Sequence, residues 1–154
     1  EVDKGWGPLQ SVLDAGRAGL AAEMSGSAQE CLARTVDYLK TRRQFDRPIG
    51  AFQGLQHRAA QLFAEIEIGK SALIRALRTL DSSPGEAPVV VSLAKSKLGR
   101  VAQLAAQEAI QMHGGIGMTD EHDIGFFLKR ARVCEHLLRP PTWHRDRWAH
   151  LGGY

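Results

Sequence analysis

The sequence predicts an all-α domain: an antiparallel up-and-down bundle of four long helices with a short extra helix at the C-terminal end. Three observations predict it. Apolar residues recur at helical spacing over long stretches, most clearly from Leu55 to Leu80. Proline and glycine cluster in short connections, and short connections between long helices force antiparallel neighbours. Aromatic residues are only 6% of the 154 while 44% are hydrophobic, so the core must be built from aliphatic side chains and alanine.

Trp6-Gly7-Pro8 opens the first helix, since proline is tolerated in a first helical turn, and no further proline interrupts the chain up to about Arg43. Its apolar side includes Leu9, Leu13, Leu20, Met24, Cys31 and Tyr38. Gly16, Gly19 and Gly26 lower helix propensity there, which points to close approach of a neighbouring helix or a ligand.

Asp46-Arg47-Pro48-Ile49-Gly50 reads as a loop, because Pro48 disfavours helix at Arg47 and Gly50 releases the chain. The second helix carries Leu55, Ala59, Leu62, Ile66, Gly69, Leu73, Ala76 and Leu80 on one stripe, the pattern of a core-facing side. Asp81 to Gly85 ends it. A third helix is expected from roughly Glu86 to His113, with Val90, Ala94, Leu98, Val101, Ala105, Ala109 and Met112 inward. The β-branched run Val89 to Val91 falls inside that helical period and is not read as a strand. Gly114-Gly115 stops the helix, Thr119 or Asp120 is placed to cap a fourth from about Glu121 to His136, and Pro140-Pro141 precedes the last short one.

Composition narrows the function classes. The chain has length for one domain with a real core. Its net charge is +3, from 20 basic and 17 acidic residues interspersed along most of the chain, so nucleic acid is not implied. The exception is Lys129 to Arg132 with Arg139, Arg145 and Arg147, which suits either phosphate or a solvated helix face. The longest apolar run, Ala87 to Ala94, is far short of a membrane span. Cys31 and Cys134 are widely separated, so free thiols and a reducing cytoplasmic setting are expected. His57, His113, His122, His136, His144 and His150 form no metal-ligand constellation. The chain does not open with Met and reads as a piece of a longer protein. Trp143 to Trp148 forms a charged amphipathic end expected to dock on the bundle or on a partner subunit.

Four groups of residues carry a resemblance. Asp14 and Arg17 share a helix face, Arg42 precedes Phe45 by three at the end of the first helix, Gln53 follows the loop, and Gln111-Met112-His113-Gly114-Gly115 ends the third helix. Order and spacing together resemble the C-terminal helical domain of the acyl-CoA dehydrogenases, over essentially the whole chain. The resemblance implies that Arg42, Gln44, Phe45, Gln53 and Gln111 to Gly115 contribute to FAD in a site shared across subunits. A guanidinium suits a pyrophosphate, and glycines let backbone N–H groups come close to phosphate or ribose. It also implies that Asp14 and Arg17 lie near the CoA thioester, although their spacing equally allows a plain salt bridge.

The resemblance breaks at the catalytic base, the carboxylate that must reach the proton of the thioester α-carbon. Where most members carry Glu-Gly-Thr, this sequence has Leu138-Arg139-Pro140. Where a smaller group carries the base on the first helix, it has Gly16. No residue of this chain is therefore assigned as catalytic. The reading is a domain of an FAD oxidoreductase of fatty acid or lipid catabolism, inactive alone, whose homo- or hetero-oligomer places a glutamate on a partner subunit. Two alternatives stand beside it. One is a purely structural bundle with relic flavin motifs, and the other is a competent dehydrogenase using Glu135. Small-residue faces and an aromatic tail also point to self-association.

Overall fold

The computed structural model describes residues 4–154. Five helices follow in order: α1 Trp6–Thr41, α2 Gln53–Ser82, α3 Ala87–His113, α4 Ile124–His136 and α5 Pro141–Leu151. The expected bundle forms, with α3 at its centre against α1, α2, α4 and α5. Its entire expected stripe, from Val90 through Leu98 to Met112, is buried. Full burial of a leucine such as Leu98 contributes roughly 1.5–3 kcal/mol. Alanines at positions 94, 102, 105, 106 and 109 are buried as well, which lets the helix axes come close where aromatic residues would hold them apart.

Helix α2 buries Leu62, Ile66, Gly69, Leu73 and Ala76, the middle of its expected stripe. Gly69 packs closely there: a Cβ would meet Leu98 Cδ2 at 2.8 Å, and the leucine side chain would have to shift. Helix α1 departs from expectation at its N-terminal half. Leu9 is 49% exposed, and the buried side runs instead through Asp14, Arg17, Ala18, Ala21, Met24, Ala28, Cys31, Thr35 and Leu39. Polar groups lead that face because their partners come from distant segments. Of the four α1 glycines, only Gly16 sits in close packing, while Gly7, Gly19 and Gly26 have open space where a Cβ would lie.

The loop after α1 is more ordered than expected. Strands β1 Arg43–Gln44 and β2 Arg47–Pro48 pair antiparallel, Arg43 with Pro48 and Gln44 with Arg47. Phe45 and Asp46 make the turn at φ of 53° and 62°, the two-positive-φ geometry of a tight hairpin turn. Strands this short carry no alternation to read. Helix α4 begins later than expected and is not capped by Thr119 or Asp120. The Ile124 N–H donates to His122 Nδ1 at 3.1 Å, and the Thr119 hydroxyl donates to the Ile116 carbonyl. Both cysteines are buried free thiols. Among the described residues no helix is long and apolar enough to cross a membrane.

Candidate functional site

The C-terminal turn of α1, the hairpin and the end of α3 meet around a cavity of about 460 Å³. Tyr38, Arg42, Gln44, Ile49 and Met112 to Ile116 line it. Segments some seventy residues apart in sequence are thus brought together because α1 and α3 run side by side. Six of the residues singled out in the sequence lie here: Arg42, Gln44, Met112, His113, Gly114 and Gly115. Phe45 does not; it stands 84% exposed at the tip of the hairpin, edge-on to Phe52. Gln53 and Gln111 are exposed and are not among the residues that line the cavity. Tyr38, Ile49 and Ile116 are lining residues that sequence reasoning missed. Tyr38 carried a signal, since it lies one turn before Arg42 on the same helix face.

The electrostatics of this cavity favour an anion. The Arg42 side chain is exposed and has no ion-pair or hydrogen-bond partner among the described residues. Gly114 has φ +66°, which favours glycine, and stops α3 as expected. At Gly115 a Cβ would meet nothing within 4 Å, so bare backbone borders open space. Gly117 serves packing instead, because a Cβ would lie 2.7 Å from the Ile110 carbonyl oxygen. His113 is buried, and its Nδ1 donates to the Ala109 carbonyl at 2.7 Å. Burial pushes its pKa down, so the ring is neutral near pH 7 with its lone pair on Nε2. Tyr38 stacks on the ring at 4.4 Å and His122 packs on it at 4.7 Å, which holds the Gly114-Gly115 turn in place.

Asp14 and Arg17 sit elsewhere, where α1, α3 and α5 converge, and both are buried. The local salt bridge exists, with Arg17 Nη1 donating to Asp14 at 2.8 Å. Arg147 of α5 adds a two-pronged pair to the same carboxylate at 2.6 and 2.8 Å and also donates to Ser92 Oγ. Burial alone would raise the Asp14 carboxyl, but hydrogen bonds from Arg147, Arg17 and Gln10 outweigh it and hold the pKa below the ordinary value. The sequence cluster containing Arg147 is therefore split, one member being a buried partner of Asp14.

Leu138 and Gly16, the two positions read as lacking a base, touch each other. A Cβ on Gly16 would meet Leu138 Cδ1 at 3.0 Å. Leu138 and Arg139 have φ of 57° and 91°, a strained turn for non-glycine residues. Its surroundings hold it: Arg17 Nε donates to the Leu138 carbonyl at 3.4 Å, His144 Nε2 donates to the same oxygen at 3.3 Å, and buried Lys95 donates to the carbonyls of Cys134 and Glu135. Burial lowers the Lys95 pKa to about 8. Glu135 points to α3 rather than to α1. Its carboxylate is 14% exposed, accepts from Gln103 at 3.0 Å and faces Arg132 at 3.5 Å.

Comparison with known proteins follows the same lines. Residues 3–137 match the family model described as acyl-CoA dehydrogenase, C-terminal domain. The chain is similar to acyl-CoA dehydrogenase IpdE2 of Mycobacterium tuberculosis, with 38% identity over 134 residues that cover 87% of this chain and 40% of that protein. It is 32% identical over 135 residues to the mitochondrial short/branched chain specific acyl-CoA dehydrogenase of Bos taurus, covering 86% of this chain and 31% of the relative. Among solved structures, butyryl-CoA dehydrogenase from Megasphaera elsdenii superposes with a TM-score of 0.94 at 26% identity, over 100% of this chain and 40% of the other. A chain of the ChsE4-ChsE5 complex from Mycobacterium tuberculosis gives 0.85 at 25% identity, over 92% and 38% of the two chains. The chain thus spans about 40% or less of the length of these relatives.

Proposed function

This chain belongs to the acyl-CoA dehydrogenase family, as a C-terminal helical domain, and from that premise we propose that it serves an acyl-CoA-oxidising flavoprotein without supplying the base. In this reading Arg42, Gln44, Phe45, Gln53 and Gln111 to Gly115 contribute to FAD in a site shared across subunits. The observation that carries it is the 460 Å³ cavity with Arg42 on one wall and the Gly114-Gly115 turn on another. FAD, when bound, supplies the hydride acceptor for oxidation of an acyl-CoA thioester. The residues here fit such a group: an unpaired guanidinium for a phosphate, open glycine backbone and a neutral, stacked His113. Phe45, Gln53 and Gln111 lie outside this cavity and on exposed surface, which suits contact with a neighbouring subunit.

The absence of a base from this chain is supported by chemistry at three positions. Leu138 and Gly16 carry no ionisable group, and their mutual contact fills the space between them with hydrocarbon. Glu135 is engaged by Gln103 and Arg132 on a different side of α4. Asp14 is committed to two guanidiniums and stays ionised, and Arg17 holds the Leu138 turn, so the pair shapes the thioester end of the site. A partner subunit then supplies the proton-abstracting carboxylate, and the relative solved as a two-component complex is in keeping with that arrangement.

The test is made on the parent oligomer. Arg42→Ala is expected to lower the bound FAD content of the purified assembly, and unchanged content would favour a structural bundle with relic motifs. Anaerobic mixing of the parent, free of partner subunits, with a panel of acyl-CoA thioesters should leave the flavin unbleached. Bleaching that disappears in Glu135→Gln would instead make this chain a competent dehydrogenase.

A further inference from the structure

The turn between α4 and α5 is strained, and a buried side chain that the flavin reading does not use holds it from below. Leu138 and Arg139 lie at φ of 57° and 91°. A helix commonly leaves through glycine in that region, so two larger residues there mark a conformation kept for what their side chains do. Leu138 reaches the exposed Gly16 of α1, and the exposed Arg139 brings its guanidinium 5.8 Å from the Trp143 ring. The backbone faces inward, with the Leu138 carbonyl accepting from buried Arg17 and His144.

The end of α4 has carbonyls without partners inside the helix, as every helix end does. Those of Val133 and His136 accept from the N–H groups of Leu137 and Arg139. Lys95 of α3 takes the remaining two, its Nζ donating to Cys134 at 2.8 Å and to Glu135 at 3.0 Å. The lysine is fully buried and makes no ion pair among the described residues, so the negative end of α4 serves as its counter-charge. Burial pushes its pKa down to about 8, which leaves it an ammonium near neutral pH. Its neighbour Ser96 holds the far side of the turn, with Oγ donating to the Pro141 carbonyl at 3.3 Å. Adjacent residues of α3 thus fix the chain before and after Leu138 and Arg139.

We propose that Lys95 is a positioning residue for acyl-CoA binding: by gripping the last carbonyls of α4 it keeps the Leu138-Arg139 turn in its strained form against Gly16 and Arg17. This rests on the reading above, in which that turn borders the thioester end of the site. Lys95 touches no substrate and acts only through the turn. The FAD contacts stand at the other end of α1, around Arg42, and do not depend on it.

Calorimetric titration of the parent oligomer with acyl-CoA thioesters, from butyryl-CoA to palmitoyl-CoA, tests this. Lys95→Met keeps the length of the side chain and removes the ammonium. It is expected to weaken the tightest thioester at least roughly tenfold with FAD content unchanged, since small misplacements of a binding group are felt that strongly. Amide exchange at positions 134 to 140 should rise about tenfold as the turn loosens. Leu138→Gly, which suits the positive φ, should keep thermal stability and still weaken the thioester, and it decides the matter where Lys95→Met does not assemble. Unchanged affinity in either variant, unchanged exchange, or FAD lost together with the thioester in Lys95→Met overturns the proposal. A parent that binds none of the thioesters removes the underlying reading, and the proposal with it.

Discussion

The two ends of α1 border two differently built regions. At its C-terminal end, Arg42, Gln44 and the Gly114-Gly115 turn line an open cavity and leave polar groups without protein partners. Toward its N-terminal end, Asp14, Arg17, Arg147, Ser92 and the Leu138 turn satisfy one another out of water. The contrast teaches that a group kept for a ligand costs the fold little when removed, whereas a group kept for the fold cannot be removed without leaving a buried charge. The largest expected effect therefore lies at the closed end. Asp14→Ala would leave Arg17 and Arg147 uncompensated and should destabilise the chain by about 3–5 kcal/mol, measured by urea unfolding. A loss below about 1 kcal/mol would erase the distinction between the two ends.

Acid should expose the same closed end. The folded pKa of His144 is about 4 against an ordinary 6.5. Between those values the unfolded chain binds a proton that the folded chain does not, so stability is present above pH 6.5 and falls as the pH drops toward 4. The loss should be about 3 kcal/mol by pH 4. His113, also depressed, adds with the same sign, while Asp14 is held below its ordinary 3.8 and contributes only in stronger acid. Unfolding midpoints from pH 7 to 4 check this, and the slope should flatten in His144→Gln.

Two glycines two positions apart sharpen the comparison within the open end. Gly117→Ala places a Cβ 2.7 Å from the Ile110 carbonyl oxygen and should cost about 1–3 kcal/mol. Gly115→Ala meets nothing and should leave thermal stability unchanged while lowering the FAD content of the parent. An equally small effect on stability is expected at Arg42→Ala, within about 0.5 kcal/mol of the parent, because the side chain is exposed and unpartnered.

The helices were legible because their signal is local. The four-and-three spacing of α2 and α3 repeats within the reach of a single turn, and the buried residues follow it. The face of α1 was read less well, since Leu9 looked inward by period while Asp14 and Arg17 were not counted on the buried side. Arg147, which reverses that judgement, is 133 residues from Asp14. At the open site Arg42, Gln44 and Met112 to Gly115 were found by motif, and Tyr38, Ile49 and Ile116 were missed because each is an ordinary residue made special only by its neighbours. The hairpin was missed because two-residue strands have no period.

The sequence by itself determined the helix-rich architecture, the family and the absence of a carboxylate at positions 16 and 138, since these depend on local spacing and on residue identity. Only the tertiary structure decided that Gly16 and Leu138 pack on each other, that Gly117 is a packing glycine while Gly115 borders open space, and that Arg147 completes the Asp14 cluster. The reason is that these depend on where distant side chains point after the helices have packed, and no pattern within a few residues of chain carries that information.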